Sequence, residues 1–462
     1  MQQRPNVIFI LVDDMGYGDF SMFNGGLSRT PTLDGLMDES ICLTQQYCGS
    51  AVCAPSRAAL MTGRYPHRTG AIDTLDARGL DRLALREVTM GDMFRAAGYV
   101  TGLIGKWHLG AADPRYHPNA RGFDRFTGFR GGWWDYWDWT LDYDGSFRES
   151  DGRYLTDVFT DEAIRFIQRH SRKPFFLHLT YNAPHGPFQA PQDDLDLFAD
   201  AADLTTCVET IYAMIHRMDA GVARILEVLQ QQRIADNTIV LFTSDNGPQF
   251  GGQGDNSSHR FNCGFKGAKG LVYEGGIRVP MIIRWPDGLP GGRQVDEMVH
   301  FVDWMPTLAA ASGVPMPDGP AIDGWNIWPV LLGESGQVNP VRFWQWNRYD
   351  PVIECNAAMR DGEWKLVRPR IAEAMYLPPE EGELDRATKR DPEHRTDICH
   401  DPLPERELPA PPLPELYNIA DDPLEQADLA GEQPDRTRRM LTQLESWFAE
   451  VEADRAGIDD VW

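Results

Sequence analysis

No apolar run in the chain approaches the roughly eighteen residues that a membrane-crossing helix needs, so no span is expected. Basic residues are scarce beside acidic ones, 44 against 69, and the formal net charge of −25 argues against nucleic acid as a partner. The seven cysteines are an odd number spread over 462 residues, which excludes a disulfide framework. Cys42, Cys48 and Cys53 also lack zinc-ligand spacing. The opening "MQQRPNVIFILVDD" has no small-residue cleavage site, and its apolar run ends in two aspartates, so it does not read as a secretory leader. The expected location is the cytoplasm for the chain as written, and the periplasm or the exterior if a leader has been removed. No internal repeat is visible.

Apolar residues make up 42% of the chain, enough for a substantial core, and the length points to two domains. "VIFILV" (7–12) is apolar at every position and rich in β-branched residues, the pattern of a strand covered on both faces in a parallel sheet. "PFFLHLT" (174–180), "TIVLFT" (238–243) and "VPMIIRW" (279–285) read likewise, and "YVTGLIG" (99–105) more weakly. Helical patterns lie between them. One precedes the strand at 99, with Gly98 as its C-cap, and one covers 209–232. This alternation predicts an α/β fold with a mixed or parallel sheet.

Beyond about residue 335 the composition changes. "AMRDGEWKLVR" (358–368) predicts a hairpin turning at Asp361-Gly362, and 435–453 a terminal helix with one apolar face. Residues 378–415, rich in Pro, Glu, Asp and Arg, predict a long surface excursion. The expected organisation is a catalytic α/β domain over 1–335 and a smaller α+β domain over 336–462.

Chemistry-bearing residues follow four of the apolar runs. These are Asp13-Asp14, Lys106 with His108, His185, and Asp245-Asn246. In open α/β sheets ligands sit beyond the carboxyl ends of the strands, so these groups should meet at one edge. An Asp pair after a strand is commonly a cap or a turn, and a lone histidine commonly structural; convergence is what favours a site. Three carboxylates cannot share a pocket uncompensated, and a hard divalent cation bound through Asp13, Asp14, Asp245 and Asn246 resolves the repulsion. In "CAPSRAALMTGR" (53–64) a cysteine opens a short helix with Pro55 in the first turn and Gly63 as its stop. A helix N-terminus attracts anions and lowers a thiol pKa, so Cys53 reads as a nucleophile beside an anion cradle.

"CAPSRAALMTGR" resembles the signature of the type I sulfatases, Cys-x-Pro-Ser-Arg followed by Thr-Gly-Arg. "NVIFILVDDMGYGD", "GKWHLG", "APHGP", "TSDNGP", "GAKGLVYEGGIRVP" and "PELYNIADDPLEQADLA" each resemble further blocks of that family, in the same order. The resemblance spans nearly the whole chain. It implies an alkaline-phosphatase-like fold: a large, mixed, mostly parallel sheet flanked by helices, with a smaller C-terminal domain carrying an antiparallel sheet and a terminal helix. It also implies a sulfuric ester hydrolase in which a maturation enzyme oxidises Cys53 to formylglycine. One hydroxyl of the hydrated aldehyde attacks sulfur and displaces the alcohol; the other loses its proton and expels sulfate.

Carried over by position, Asp13, Asp14, Asp245, Asn246 and the matured Cys53 match metal ligands, with Ca²⁺ the family's usual ion and Mg²⁺ second to it. Arg57 matches the arginine that steadies the formylglycine hydrate. Lys106 and His108 match groups that bind sulfate and hold the nucleophile. His185 matches the histidine near the leaving oxygen. Lys269, rather than Lys266, matches the second sulfate-binding lysine.

For the substrate, "GGWWDYWDWTLDYDG" (131–145) offers Trp133, Trp134, Trp137 and Trp139 as a platform for sugar or aryl rings, against the alternative that they are packed core. "NSSHRFNCGFK" (256–266), with His259 and Arg260, and "FWQWNRYDP" (343–351) are further loop candidates, suited to a carboxylated or multiply sulfated glycan. The expected reaction is removal of sulfate from an O-sulfated carbohydrate or an aryl sulfate. The rivals are a phosphonate monoester hydrolase or phosphodiesterase on the same scaffold, and a non-catalytic sulfated-glycan-binding protein.

Overall fold

Val7, Phe9 and Leu11 pack into one hydrophobic cluster, and Ile8, Ile10 and Val12 into another. Successive strand side chains point to opposite faces, so a run apolar at every position has both faces covered. The computed structural model describes residues 4–201, 204–250, 259–334, 336–391 and 396–459. Its strands in chain order are β1 (Asn6–Val12), β2 (Ile41–Leu43), β3 (Gln46–Tyr47), β4 (Val100–Lys106), β5 (Arg125–Phe129) and β6 (Thr140–Tyr143). Then come β7 (Ser146–Glu149), β8 (Phe175–Thr180), β9 (Thr238–Ser244), β10 (Met281–Arg284), β11 (Arg293–Val295) and β12 (Val299–His300).

Ten of these form one sheet in the order β11-β2-β10-β9-β1-β8-β4-β5-β6-β7. From β9 to β5 the neighbours are parallel, which bears out the large, mostly parallel sheet. β10 is as buried as its apolar run requires, but it runs antiparallel to both β9 and β2. A strand covered on both faces carries the same pattern in either direction, so the run at 279–285 does not encode orientation.

Helices clothe the two faces. α1 (Cys53–Thr62) and α2 (Met90–Ala96) contribute to one cluster, α3 (Leu155–His170) and α4 (Thr206–Gln231) to the other. α2 starts with a capping box between Thr89 and Asp92. Its C-cap is Ala97, and Gly98, the expected cap, takes the left-handed position one residue on (φ 86°). Truncating a core side chain such as Phe9, fully buried between the layers, costs about 3–5 kcal/mol. Among the described residues no helix is long and apolar enough to cross a membrane.

β13 (Val341–Gln345), β14 (Ala357–Asp361), β15 (Trp364–Arg368) and β16 (Glu415–Asn418) form a separate antiparallel sheet in sequence order. Asp361 is still paired, with Trp364, so the turn is Gly362-Glu363, one residue later than expected; Gly362 has φ 59°. The longer helices after the hairpin are α5 (Pro379–Arg390) and α6 (Pro434–Arg455). α6 lays Met440, Leu444, Trp447 and Val451 on the sheet. On β15, Lys365 is fully buried and pairs with Glu274 (2.8 Å) and Glu425 (2.9 Å), tying this sheet to the large one's surroundings.

The predicted surface excursion is half corrected. Residues 379–390 form α5, whose Glu381, Asp385, Thr388 and Lys389 are buried. Composition misleads here because the charges are matched across the interface, Glu381 by Arg78 and Asp385 by the backbone N–H of Ala77. Residues 401–414 carry neither helix nor strand, as the composition predicts.

Candidate active site

β9, β1, β8 and β4 are consecutive in the sheet, so the residues after their carboxyl ends must meet. β1 delivers Asp13 and Asp14, β9 Asp245 and Asn246, β4 Lys106 and His108, and the turn after β8 His185. Cys53 is the first residue of α1, whose ten residues are all buried. One atom each from Asp13, Asp14, Cys53 and Asp245 lies within 4.8 Å of all the others. The Asn246 amide N–H donates to Asp14 Oδ1 (2.8 Å), and its buried Oδ1 has no partner. Three carboxylates, a lone amide oxygen and a sulfur gathered this way fit a hard, oxygen-bound divalent ion.

Cations answer the acids one for one. Lys106 Nζ lies 2.5 Å from Asp13, Lys269 Nζ 2.7 Å from Asp14, and Arg57 Nε 2.8 Å from Asp245. Burial alone would raise Asp14, but Lys269 and His185 outweigh it and hold its carboxyl well below the usual range. Asp245 is pushed up to about 6 by burial and by the neighbouring Asp13. Lys266, the alternative lysine, instead pairs with Glu415 (3.0 Å). Asp14 (φ 64°) and His108 (φ 55°) both sit in the left-handed backbone region, which non-glycine residues rarely occupy; such strain concentrates at working sites.

The expected low thiol pKa is overturned. Burial, and then the Asp13 carboxylate whose Oδ1 lies 3.4 Å from the sulfur, push the Cys53 thiol up to about 12. The helix N-terminus is outweighed, because a group that is 2% exposed beside an acid gains nothing from becoming an anion.

Two histidines flank the cluster. The His185 Nδ1 contact with the Gly186 carbonyl (2.7 Å) requires its proton there, which leaves Nε2 facing Asp14 at 3.8 Å. Burial and Lys269 lower its pKa to about 3. His108 is also driven well below its usual value, by burial and Lys106, and its Nε2 lies 3.1 Å from Asp76. Asp76 in turn faces Lys389 of α5 at 3.5 Å. Neither Asp76 nor Lys389 carried a signal in the sequence, since each lies in a segment whose local pattern reads as turn or surface. Gly132 is required beside them: a Cβ there would come within 2.8 Å of the His108 ring and 2.9 Å of Lys389.

A cavity of about 760 Å³ opens above Cys53, His108, His185 and Lys269. Of the four tryptophans proposed as a platform, Trp133 alone lines it. Trp134 and Trp139 are packed core, and Trp137, exposed, leans on Tyr154 away from the cavity. The loop has no periodicity from which to sort them. Arg260 is buried and ion-paired with Asp19 at 2.6 Å, and it also donates to the Asp14 carbonyl, so it buttresses the loop after β1 and is not among the residues lining the cavity. His259 is exposed and does not line it. Residues 256–258 of the same candidate stretch lie outside the described residues. From 343–351, Trp346 and Arg348 do reach the cavity.

Paired cations around an acid cluster at the carboxyl edge of a parallel sheet are what hydrolysis of a tetrahedral anionic ester requires. Comparison with known proteins narrows this. Residues 5–314 match the family model Sulfatase, and 265–405 the model N-sulphoglucosamine sulphohydrolase, C-terminal. The chain is 32% identical over 378 residues to N-acetylgalactosamine-6-sulfatase of Homo sapiens, covering 74% of this chain and 69% of that protein. It is 29% identical over 540 residues to steryl-sulfatase of Mus musculus, covering 96% and 81%. The solved structure of Ps i-CgsB in complex with k-i-k-neocarrahexaose superposes with a TM-score of 0.80 at 29% identity, over 96% of this chain and 93% of that one. The chain belongs to the sulfatase family. It is an enzyme, a sulfuric ester hydrolase.

Proposed function

We propose that the protein removes sulfate from an O-sulfated carbohydrate, with Cys53 in its formylglycine form and one Ca²⁺ held by Asp13, Asp14, Asp245 and Asn246. The observation that carries this is the gathering of Cys53 with three carboxylates on the floor of a cavity far larger than a sulfate group. Two relatives support the sugar: one is named for N-acetylgalactosamine-6-sulfate chemistry, and another was solved with k-i-k-neocarrahexaose. When present, formylglycine supplies an oxygen nucleophile and the metal ion withdraws charge from the ester.

The chain's own residues do the rest. Lys106, Lys269 and His108 bind sulfate oxygens. Each lysine already lies within 2.7 Å of an acid of the cluster, so neutralising those acids frees its N–H groups for the ester. Arg57, fixed on Asp245, orients residue 53 from one turn further along α1. His185, with its Nδ1–H committed to a carbonyl, presents Nε2 toward the leaving oxygen and serves as the acid in its imidazolium form, which a bound anionic ester favours by its charge. The test is a panel of sulfated mono- and oligosaccharides assayed beside a chromogenic aryl sulfate. Sugars should be desulfated with the higher kcat/KM. If the aryl ester wins and no sugar loses sulfate, the carbohydrate assignment falls and the sulfatase remains.

A further inference from the structure

The cavity wall opposite Cys53 is built from the C-terminal part of the chain. Arg386 and Arg390 stand four residues apart on α5, hence on one face, with Cβ atoms roughly 5–6 Å apart by helix geometry. Arg348 joins them from the loop after β13. Its Nη1 is held by Asp73 (2.9 Å) and Thr74 (2.8 Å), and its guanidinium lies over the Trp346 ring at 5.1 Å. Arg390 in turn lies 5.5 Å from the centre of the Trp133 ring.

The charge is out of keeping with the rest of the molecule. The chain has 69 acidic to 44 basic residues, yet among the described residues this cavity is lined by Lys269, Arg348, Arg386, Lys389 and Arg390 against the single carboxylate of Asp135. Lys269 belongs to the floor beside Asp14, Lys389 is paired with Asp76 and Asp385, and Arg348 is anchored on Asp73. Asp135 is engaged as well: it accepts from the backbone N–H of Trp137 and Asp138 and from Gln189. Among the described residues no carboxylate lies within ion-pair distance of Arg386 or Arg390. A single scissile sulfate is already served by the cations on the floor, so the arginines of the wall are surplus to it.

We infer that Arg348, Arg386 and Arg390 form a subsite for a second anionic group, a sulfate or a carboxylate, carried by the same sugar chain as the scissile sulfate, with Trp133 offering its ring to the sugar between them. The inference deepens the carbohydrate reading and rests on it. Guanidinium groups suit either anion, because their N–H fork matches two oxygens at once.

The test is calorimetric titration of the unreactive Cys53→Ala protein with three ligands: a monosulfated sugar, the same sugar carrying a second sulfate, and a monosulfated disaccharide carrying a uronate. Either doubly charged ligand should bind roughly ten- to a hundredfold more tightly than the singly charged one, the gain of one charge-assisted hydrogen-bonded pair. In Cys53→Ala/Arg386→Ala/Arg390→Ala that ratio should collapse toward one. Which of the two ligands shows the larger ratio identifies the anion. Equal binding of singly and doubly charged sugars, or a ratio unmoved by removing both arginines, overturns the subsite. Failure of the wild-type enzyme to desulfate any sugar while the ratio persists sinks the carbohydrate-sulfatase reading and leaves the subsite standing.

Discussion

The carboxylate of Asp76 lies 3.1 Å from Nε2 of His108, and neither group is open to solvent. The contact lacks hydrogen-bond geometry, so Asp76 holds the ring through packing and the local charge balance. Replacing Asp76 with Asn should keep the shape and lose that charge balance. We expect kcat/KM to fall roughly ten- to a hundredfold, the usual effect of such supporting partners. The fall should lie mainly in kcat, and an unchanged kcat would mean the pair only fills space.

Metal binding is checked without turnover. Adding Ca²⁺ to chelated protein should raise Tm, since a ligand that binds only the folded state stabilises it by about 2.7 kcal/mol at a hundred times its Kd. Asp245→Ala should abolish the shift. Chelation should also abolish sulfatase activity, and restored Ca²⁺ should return it.

Cys53 is tested by mass. The tryptic peptide containing it should carry an aldehyde in active protein. Cys53→Ala should unfold at a similar temperature while losing nearly all turnover. Substantial residual activity in that variant would rule out residue 53 as the nucleophile.

The Lys365 triad links stability to pH. Burial would raise Glu274, but Lys365 and Arg360 outweigh it and lower its pKa from 4.5 to about 2. A depressed carboxyl stabilises the fold above pH 4.5, and this contribution is lost as pH falls from 4.5 toward 2. Glu425 has the opposite sign: burial raises it to about 7, so ionising it costs stability between pH 4.5 and 7. Tm of the wild type should climb between pH 2 and 4.5 more steeply than that of Glu274→Gln. Lys365→Met, which leaves two buried acids without their cation, should cost about 3–5 kcal/mol.

The parts of the site legible in the sequence are those that lie directly after a strand or at a helix start. Asp13, Asp14, Lys106, His108, Asp245 and Asn246 are of this kind, because a continuous apolar run announces its own end. What was not legible comes from distant segments meeting. Lys389 sits in a charged helix whose exposed and buried faces differ only in what packs against them. The helix terminus at Cys53 is a local feature that the sequence shows, whereas the thiol's burial and its nearness to Asp13 arise only in the assembled fold. Among the tryptophans of 133–139, only the placement of neighbouring elements separates rim from core.

The burial of α1 sets an order of events in synthesis. Cys53 is covered in the finished protein by partners from β1, β4, β9 and the loop bearing Lys269, most of which leave the ribosome after it. At about 5–20 residues per second, the chain from residue 53 to residue 269 takes on the order of ten seconds or more to emerge. An enzyme that modifies this residue therefore has a deadline: it must reach an unfolded nascent segment before the later strands close over it.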